Sequence, residues 1–386
     1  MVPDYSLAPG GSWLDLRVRS GHVSRVPPEV PEHLPRRPWG WWLLVCALSV
    51  GWAVLRLAMN REFQGAKWAS LLALDAPLPF GHRVLIPVLA RPLASAGLDL
   101  PLVWGVFEVL SMVGLLLVLE ALLASYLQAR PARLLSVAML GVLALAYLLP
   151  HRWPIFYPWD TPAMAFVVLG TSMVVQRRFA TACLVTAIAG CNREGALLIP
   201  AALVVLTLHD DASRRRALPW AGLMVVAYVV VRWSIALALP DNPGPSLHTA
   251  LEGRYRLFNN LEWLADPARA VTFVGSLGFL PILWLSVQRY VPDDLQRLHV
   301  PALAAVLGLT VIANVYEPRA FGEAIVLAWI AVAVGIGRWL EGRVATRPER
   351  PRWLVVFDRG GGLLLLAGWG AFTVALSRWA FLPMAP

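Results

Sequence analysis

The sequence predicts an all-α, polytopic integral membrane protein, with about eleven transmembrane helices and an interfacial or re-entrant helix in the first outer loop. Three observations predict it. Of 386 residues, 58% are apolar and only 15% are charged, and mean hydropathy is +0.62. Soluble domains carry about 25% charged residues, so this much apolar surface needs a solvent other than water. Apolar runs of spanning length recur along the chain. Eighteen Trp fit an indole's preference for the membrane–water interface.

The net charge of +9 and pI near 10.1 would suggest nucleic acid in a soluble protein. Here the positive charges lie in short loops between apolar runs, where membrane orientation accounts for them and no nucleic-acid partner is expected. Cys46, Cys183 and Cys191 are dispersed at or within apolar segments. They read as small buried hydrophobes, and no C-x-x-C pair or metal set is present.

Residues 1–38 are polar and rich in Pro and Arg, which reads as a disordered cytoplasmic tail and not a cleavable signal. The membrane domain covers 39–380, and 381–386 form a short outer tail. A span needs about 20 apolar residues. The runs that qualify are 39–58, 102–124, 133–150, 161–176, 179–191, 195–208, 217–238, 269–287, 299–315, 322–338 and 360–380. The pair 179–191 and 195–208 reads either as two short helices or as one helix interrupted near Cys191–Gly195.

Every second connection is rich in Arg, as at Arg130 and Arg133, Arg177 and Arg178, and Arg214 to Arg216. Positive connections face the cytoplasm, so the N-terminus is placed inside and the C-terminus outside a plasma (inner) membrane. This holds if 83–97, short and interrupted by Pro87 and Pro92, lies at the interface.

The chemistry then gathers outside. The outer segments are 59–99, 150–161, 191–195, 239–268 and 316–322. Asp75 and Glu62 in the first are either surface charges or a general base for a hydroxyl acceptor. His82 and Arg83 adjoin the interfacial helix, where Arg83 either grips a phosphate or snorkels to headgroups. The second segment supplies Arg152 and Asp160, and N-capping is the plainer role for Asp160. Tyr157 and the Trp residues there read as interfacial anchors or as a platform for a polar ring. Asn192, Arg193 and Glu194 sit between two apolar helices, either as a solvated turn with Glu194 at a helix N-terminus or as ionisable side chains at membrane depth, which usually mark function. Glu317 and Arg319 form either an internal ion pair or a cation beside an anionic ligand. Glu120 is expected to snorkel at the inner interface, and Glu108 to face the outer cavity. No nucleotide or H-E-x-x-H motif occurs.

Three stretches carry a family resemblance: PFGHRVLIPVLARPL after the first span, YPWDTPAMAFVVLG opening a span, and CNREGALLIPAALVV. Together with the topology, they resemble the GT-C superfamily of polyprenyl-phosphate-dependent membrane glycosyltransferases. By motif the resemblance covers only about forty residues. The chain departs from that family's pattern in having no D-x-D or E-x-D in its first loop.

The resemblance implies transfer of a sugar from a polyprenyl-phosphate donor to an acceptor on the non-cytoplasmic face, by inverting displacement. Asp75 or Glu62 would be the base. His82, Arg83, Arg152, Asp160, Asn192, Arg193, Glu194, Glu317 and Arg319 would line the substrate site. No cofactor is assigned, and a divalent cation is optional. Two other classes stay open: a transporter or flippase of a glycolipid or anionic solute, and a non-catalytic membrane assembly subunit.

Overall fold

A computed structural model describes residues 37–148, 155–208, 211–241, 249–343 and 367–375. The tail 1–36, the segment holding His151 and Arg152, and most of the expected 360–380 span lie outside the described residues.

Among the described residues the chain is helical and contains no β-strand. Helix α1 (Trp39–Met59) is followed by two short helices, α2 (Trp68–Ala73) and α3 (Leu85–Ser95). Next come α4 (Leu100–Ala124), α5 (Ala129–Tyr147), α6 (Asp160–Val175), α7 (Phe179–Gly190), α8 (Leu198–Thr207) and α9 (Asp211–Ala238). The remainder are α10 (Thr249–Ala265), α11 (Pro267–Ser276), α12 (Leu280–Val287), α13 (Asp293–Gln296), α14 (His299–Ile312), α15 (Gly322–Leu340) and α16 (367–375).

Among the described residues six helical segments are long and apolar enough to cross a membrane, and a seventh is counted if the bent pair α11–α12 is one span. The count of eleven is therefore not reached by length. The runs 161–176, 179–191 and 195–208 fold as α6, α7 and α8, which are 16, 12 and 10 residues long. At 1.5 Å per residue, α7 rises only about 18 Å. These short helices are held by neighbours. Phe179 at the start of α7 packs 6.5 Å from Trp220 of α9, and Gly190 at its end abuts Tyr228. Thus α7 runs parallel to α9, and 179–208 is a pair of short helices joined by a 3-10 turn (Glu194–Leu197).

Two further expectations are corrected. The run 269–287 is not continuous, because α11 and α12 meet at 65°. Gly278 and Phe279 both take positive φ at the break, 69° and 53°, a conformation foreign to a helix. The segment 239–268, expected as an outer loop, contains α10. Its Asn260 amide donates to the carbonyls of Thr310 and Ala313 at 2.7 Å each. These are carbonyls at the end of α14 that lack helical partners.

Helix α15 is the centre of the bundle, with 83% of its apolar window buried against α5, α6, α12 and α14. Helix α9 is the opposite case, with Val226, Val230, Trp233 and Leu237 exposed along its length. An apolar side that no neighbour covers is what a lipid-facing helix presents.

Helices α1 and α4 are clipped together at two depths. Trp41 donates to Glu120 at 3.0 Å and Trp52 donates to Glu108 at 2.7 Å. Glu120 does not snorkel, because it is buried and paired with Arg37 at 2.8 Å and Arg133 at 3.0 Å.

The connections 60–99, 155–159, 191–194 and 313–321 meet at one end of this bundle. Arg61 and Ile155 form an isolated bridge. The Leu85 amide donates to the Cys191 carbonyl at 3.1 Å, and Arg319 donates to the Ile155 carbonyl at 3.0 Å. Lys67, the chain's single lysine, is exposed in this group. If these connections face outward, a membrane-impermeant amine reagent added to intact cells labels the protein at Lys67. The Lys67→Arg variant then loses that label. Labelling only after permeabilisation would reverse the orientation.

Candidate functional site

The site is a chain of charges at the loop-bearing end, and it begins with Arg56, which local sequence reading passes over. Arg56 lies in the last turn of α1, with no exposed surface. Its Nη1 donates to both Glu108 oxygens at 2.8 and 2.9 Å and to Thr161 Oγ1 at 2.8 Å. Its Nη2 donates to Asp160 Oδ2 at 2.8 Å. Thr161 in turn donates to Glu108 at 2.7 Å. Tyr147 and Phe156 place their rings 4.7 and 4.9 Å from the guanidinium carbon, within cation–π range.

Asp160 is not the N-cap of α6. Trp159 holds that position, without a side-chain cap bond. The Asp160 carboxylate instead bridges two arginines. Its second oxygen accepts from Arg193 Nη1 at 3.1 Å. Arg193 Nε lies 3.2 Å from Glu323 of α15, and Arg193 Nη2 donates to the Ala320 carbonyl at 3.2 Å. The buried series is therefore Glu108, Arg56, Asp160, Arg193, Glu323, and it joins α1, α4, α6, the 191–194 turn and α15. Removing one member of such a set leaves an uncompensated buried charge.

The C-N-R-E-G stretch explains itself locally. Asn192 is fully buried and donates to the Trp159 carbonyl at 2.9 Å. Arg193 is extended, with φ −163°, and sends its side chain inward. Glu194 points the other way. A Cβ on Gly195 would come within 2.6 Å of Glu323 Oε1, so glycine here lets the Glu323 carboxylate approach the turn.

Glu194 belongs to a second, more open group. One oxygen lies 3.2 Å from Arg83 Nη2 and the other 3.0 Å from Arg232 Nη2 of α9. Its side chain is 44% exposed, against 11% for Arg83 and 18% for Arg232. Burial alone would raise its pKa, but the two guanidiniums outweigh that and hold the carboxyl at about 2. Arg232 also donates to the His82 carbonyl at 2.9 Å. Partial burial, and then Arg232, push the His82 imidazole below its usual value.

Beside this group stands an aromatic stack. Phe80 and Tyr157 are 5.4 Å apart, and Tyr157 and Trp159 are 4.8 Å apart, both nearly parallel. Arg83 lies 5.0 Å from the Trp159 ring and Arg319 lies 4.2 Å from the Tyr157 ring. Tyr157 and Trp159 are buried and so are not lipid-facing anchors. Arg319 is internally paired with Glu317 at 2.9 Å.

The two candidate bases differ. Glu62 accepts from the Trp68 amide at the start of α2, and so it caps that helix. Asp75 is exposed, after Leu74 in the left-handed region. Its neighbour Ala76 is buried with Leu71, Ile155, Tyr157 and Trp159, which puts Asp75 at the rim of the stack. Among the described residues no three His, Cys, Asp or Glu side chains gather as a metal-binding set.

No protein-family model and no curated protein matches the chain. Fold and site together define an α-helical, membrane-compatible protein with a paired-charge polar end.

Arg56→Met should lower the unfolding midpoint in detergent by the equivalent of roughly 3–5 kcal/mol. Arg269→Met, which removes an exposed pair with Asp266, should cost less than about 1 kcal/mol. A second prediction concerns acid. The ionised Glu194 stabilises the fold above its ordinary pKa of 4.5, and that contribution is lost as pH falls towards about 2. The melting difference between wild type and Glu194→Gln should therefore close over that range.

Proposed function

We propose that the chain is a GT-C-like glycosyltransferase of the plasma membrane, with its N-terminus cytoplasmic, working on the non-cytoplasmic face with a polyprenyl-phosphate sugar donor. The observation that carries this reading is the convergence of Arg83 and Arg232 on one partly exposed point beside the Phe80, Tyr157 and Trp159 stack. Paired guanidiniums suit a phosphate, the part-exposed Phe80 ring at the edge of the stack offers a polar ring some aromatic surface, and a membrane supplies a lipid-linked donor.

In this reaction an acceptor hydroxyl attacks the anomeric carbon. The bond from that carbon to the lipid phosphate oxygen breaks, and the phosphate leaves with the electron pair. Asp75, exposed at the rim of the stack, takes the hydroxyl proton. It is preferred to Glu62, whose carboxylate is engaged at the start of α2. Arg83 and Arg232 neutralise the charge that develops on the departing phosphate. Asp160, Arg193 and Asn192 are positioning residues, because their polar atoms are turned to the protein's own charges and carbonyls. A divalent cation is optional.

One observation favours a second reading. Arg56, Arg193 and Arg319 are each internally paired, as a non-catalytic assembly subunit would require.

A transfer assay with purified protein and lipid-linked sugars separates the two. Asp75→Asn should lose about 10²–10⁴-fold in kcat with an unchanged unfolding midpoint. Full activity in that variant overturns the base assignment. No transfer by the wild type from any lipid-linked sugar favours the assembly subunit.

A further inference from the structure

Glu194 has an unusual place for an acidic side chain in a site read as binding an anion. It occupies the space where two guanidiniums converge, offering one oxygen to Arg83 at 3.2 Å and the other to Arg232 at 3.0 Å. Two oxygens on one centre, shared between two arginines, is the arrangement that a phosphate would make there. We infer that Glu194 is a built-in competitor that closes the Arg83–Arg232 pair in the unliganded protein and is displaced by the phosphate group of a lipid. This deepens the reading above and takes the chemical class of the ligand from it.

Four features support the exchange. Both arginines are pinned by contacts that do not involve Glu194. Arg83 lies against the Trp159 and Phe80 rings at 5.0 and 5.6 Å. Arg232 donates its other nitrogen to the His82 carbonyl at 2.9 Å. The cations therefore stay in place when the carboxylate leaves. Glu194 is the most exposed of the three, at 44%, so its side chain has a path to water. It is also set on a 3-10 turn after an extended residue, and each of its oxygens faces one of the two arginines.

The charges favour the exchange as well. Two arginines against one carboxylate leave a surplus of one positive charge, which a lipid phosphate monoester, such as the one left after sugar transfer, neutralises more fully with up to two negative charges. Arg83 Nε, moreover, is buried without a hydrogen-bond partner, a spare donor in the same guanidinium. The cost of such a device is apparent affinity, because the ligand sees only the fraction of molecules in which the pair is open.

The test is isothermal titration of the purified full chain in detergent with farnesyl phosphate and, separately, with inorganic phosphate. Glu194→Gln should bind farnesyl phosphate about tenfold more tightly than wild type, and Arg232→Gln at least about tenfold more weakly. Glu194→Asp keeps the charge but shortens the reach. It should fall between wild type and Glu194→Gln, and it guards against a misfolded glutamine variant.

Equal or weaker binding by folded Glu194→Gln and Glu194→Asp overturns the inference, as does absence of binding in all forms. Binding of farnesyl phosphate alone supports displacement by a lipid-borne phosphate. Equal binding of inorganic phosphate overturns the lipid requirement while supporting the competition. An affinity series that holds in a protein with no sugar transfer overturns only the transferase reading. A flat series in a protein that transfers sugar overturns only the competition.

Discussion

The polar end of this molecule depends on one carboxylate shared by two arginines. Asp160 accepts from Arg56 at 2.8 Å and from Arg193 at 3.1 Å while only 2% exposed. A single buried ion is costly, and so is an unbalanced pair. The shared carboxylate is tolerable only because each arginine is satisfied again on its far side, Arg56 by Glu108 and Arg193 by Glu323. The end of α1, the start of α6, the 191–194 turn and α15 are thereby fixed relative to one another. What lies outside that set, Arg83, Arg232 and the aromatic stack, inherits its position from it. Asn192 links the two, since it holds the Trp159 carbonyl from the same turn that carries Arg193 and Glu194.

This division separates positioning from contact. The inner series is closed on itself, and its members are nearly without exposed surface. The outer group carries a positive surplus and a half-exposed carboxylate beside the aromatic stack. The proposed ligand chemistry rests on this outer group. Arg193 and Glu194 are adjacent in sequence yet belong to different groups, because the extended backbone at Arg193 sends successive side chains in opposite directions.

The helical, membrane-compatible character was legible from composition and apolar run length. Alternating loop charge grouped 59–99, 150–161, 191–195, 239–268 and 316–322 on one side; contacts join described parts of four of them, while 239–268 holds helix α10. Span count was less legible. Hydropathy reads apolar length and not helix continuity, so it missed the break at Gly278–Phe279 and counted α6, α7 and α8 as full spans. It also read α10 as loop, because that helix has a polar sequence. Of the residues in these two groups, the loop residues Arg83, Asp160, Asn192, Arg193 and Glu194 were named by sequence reading. Arg56 and Arg232 were not, although a lone arginine within an apolar run was signal enough. Asp160 was given a capping role because capping is a local property, whereas its actual partners are 104 and 33 residues away.

The central claim is that Asp160 couples two arginines into one structural unit. A double-mutant cycle of Asp160→Asn and Arg193→Met, read by unfolding in detergent, tests it most directly. Shared burial predicts that the two changes are non-additive by at least about 1 kcal/mol, because either one alone strands the other's charge. Additivity to within about 0.5 kcal/mol would contradict the account, and would mean that the two residues stabilise the bundle independently.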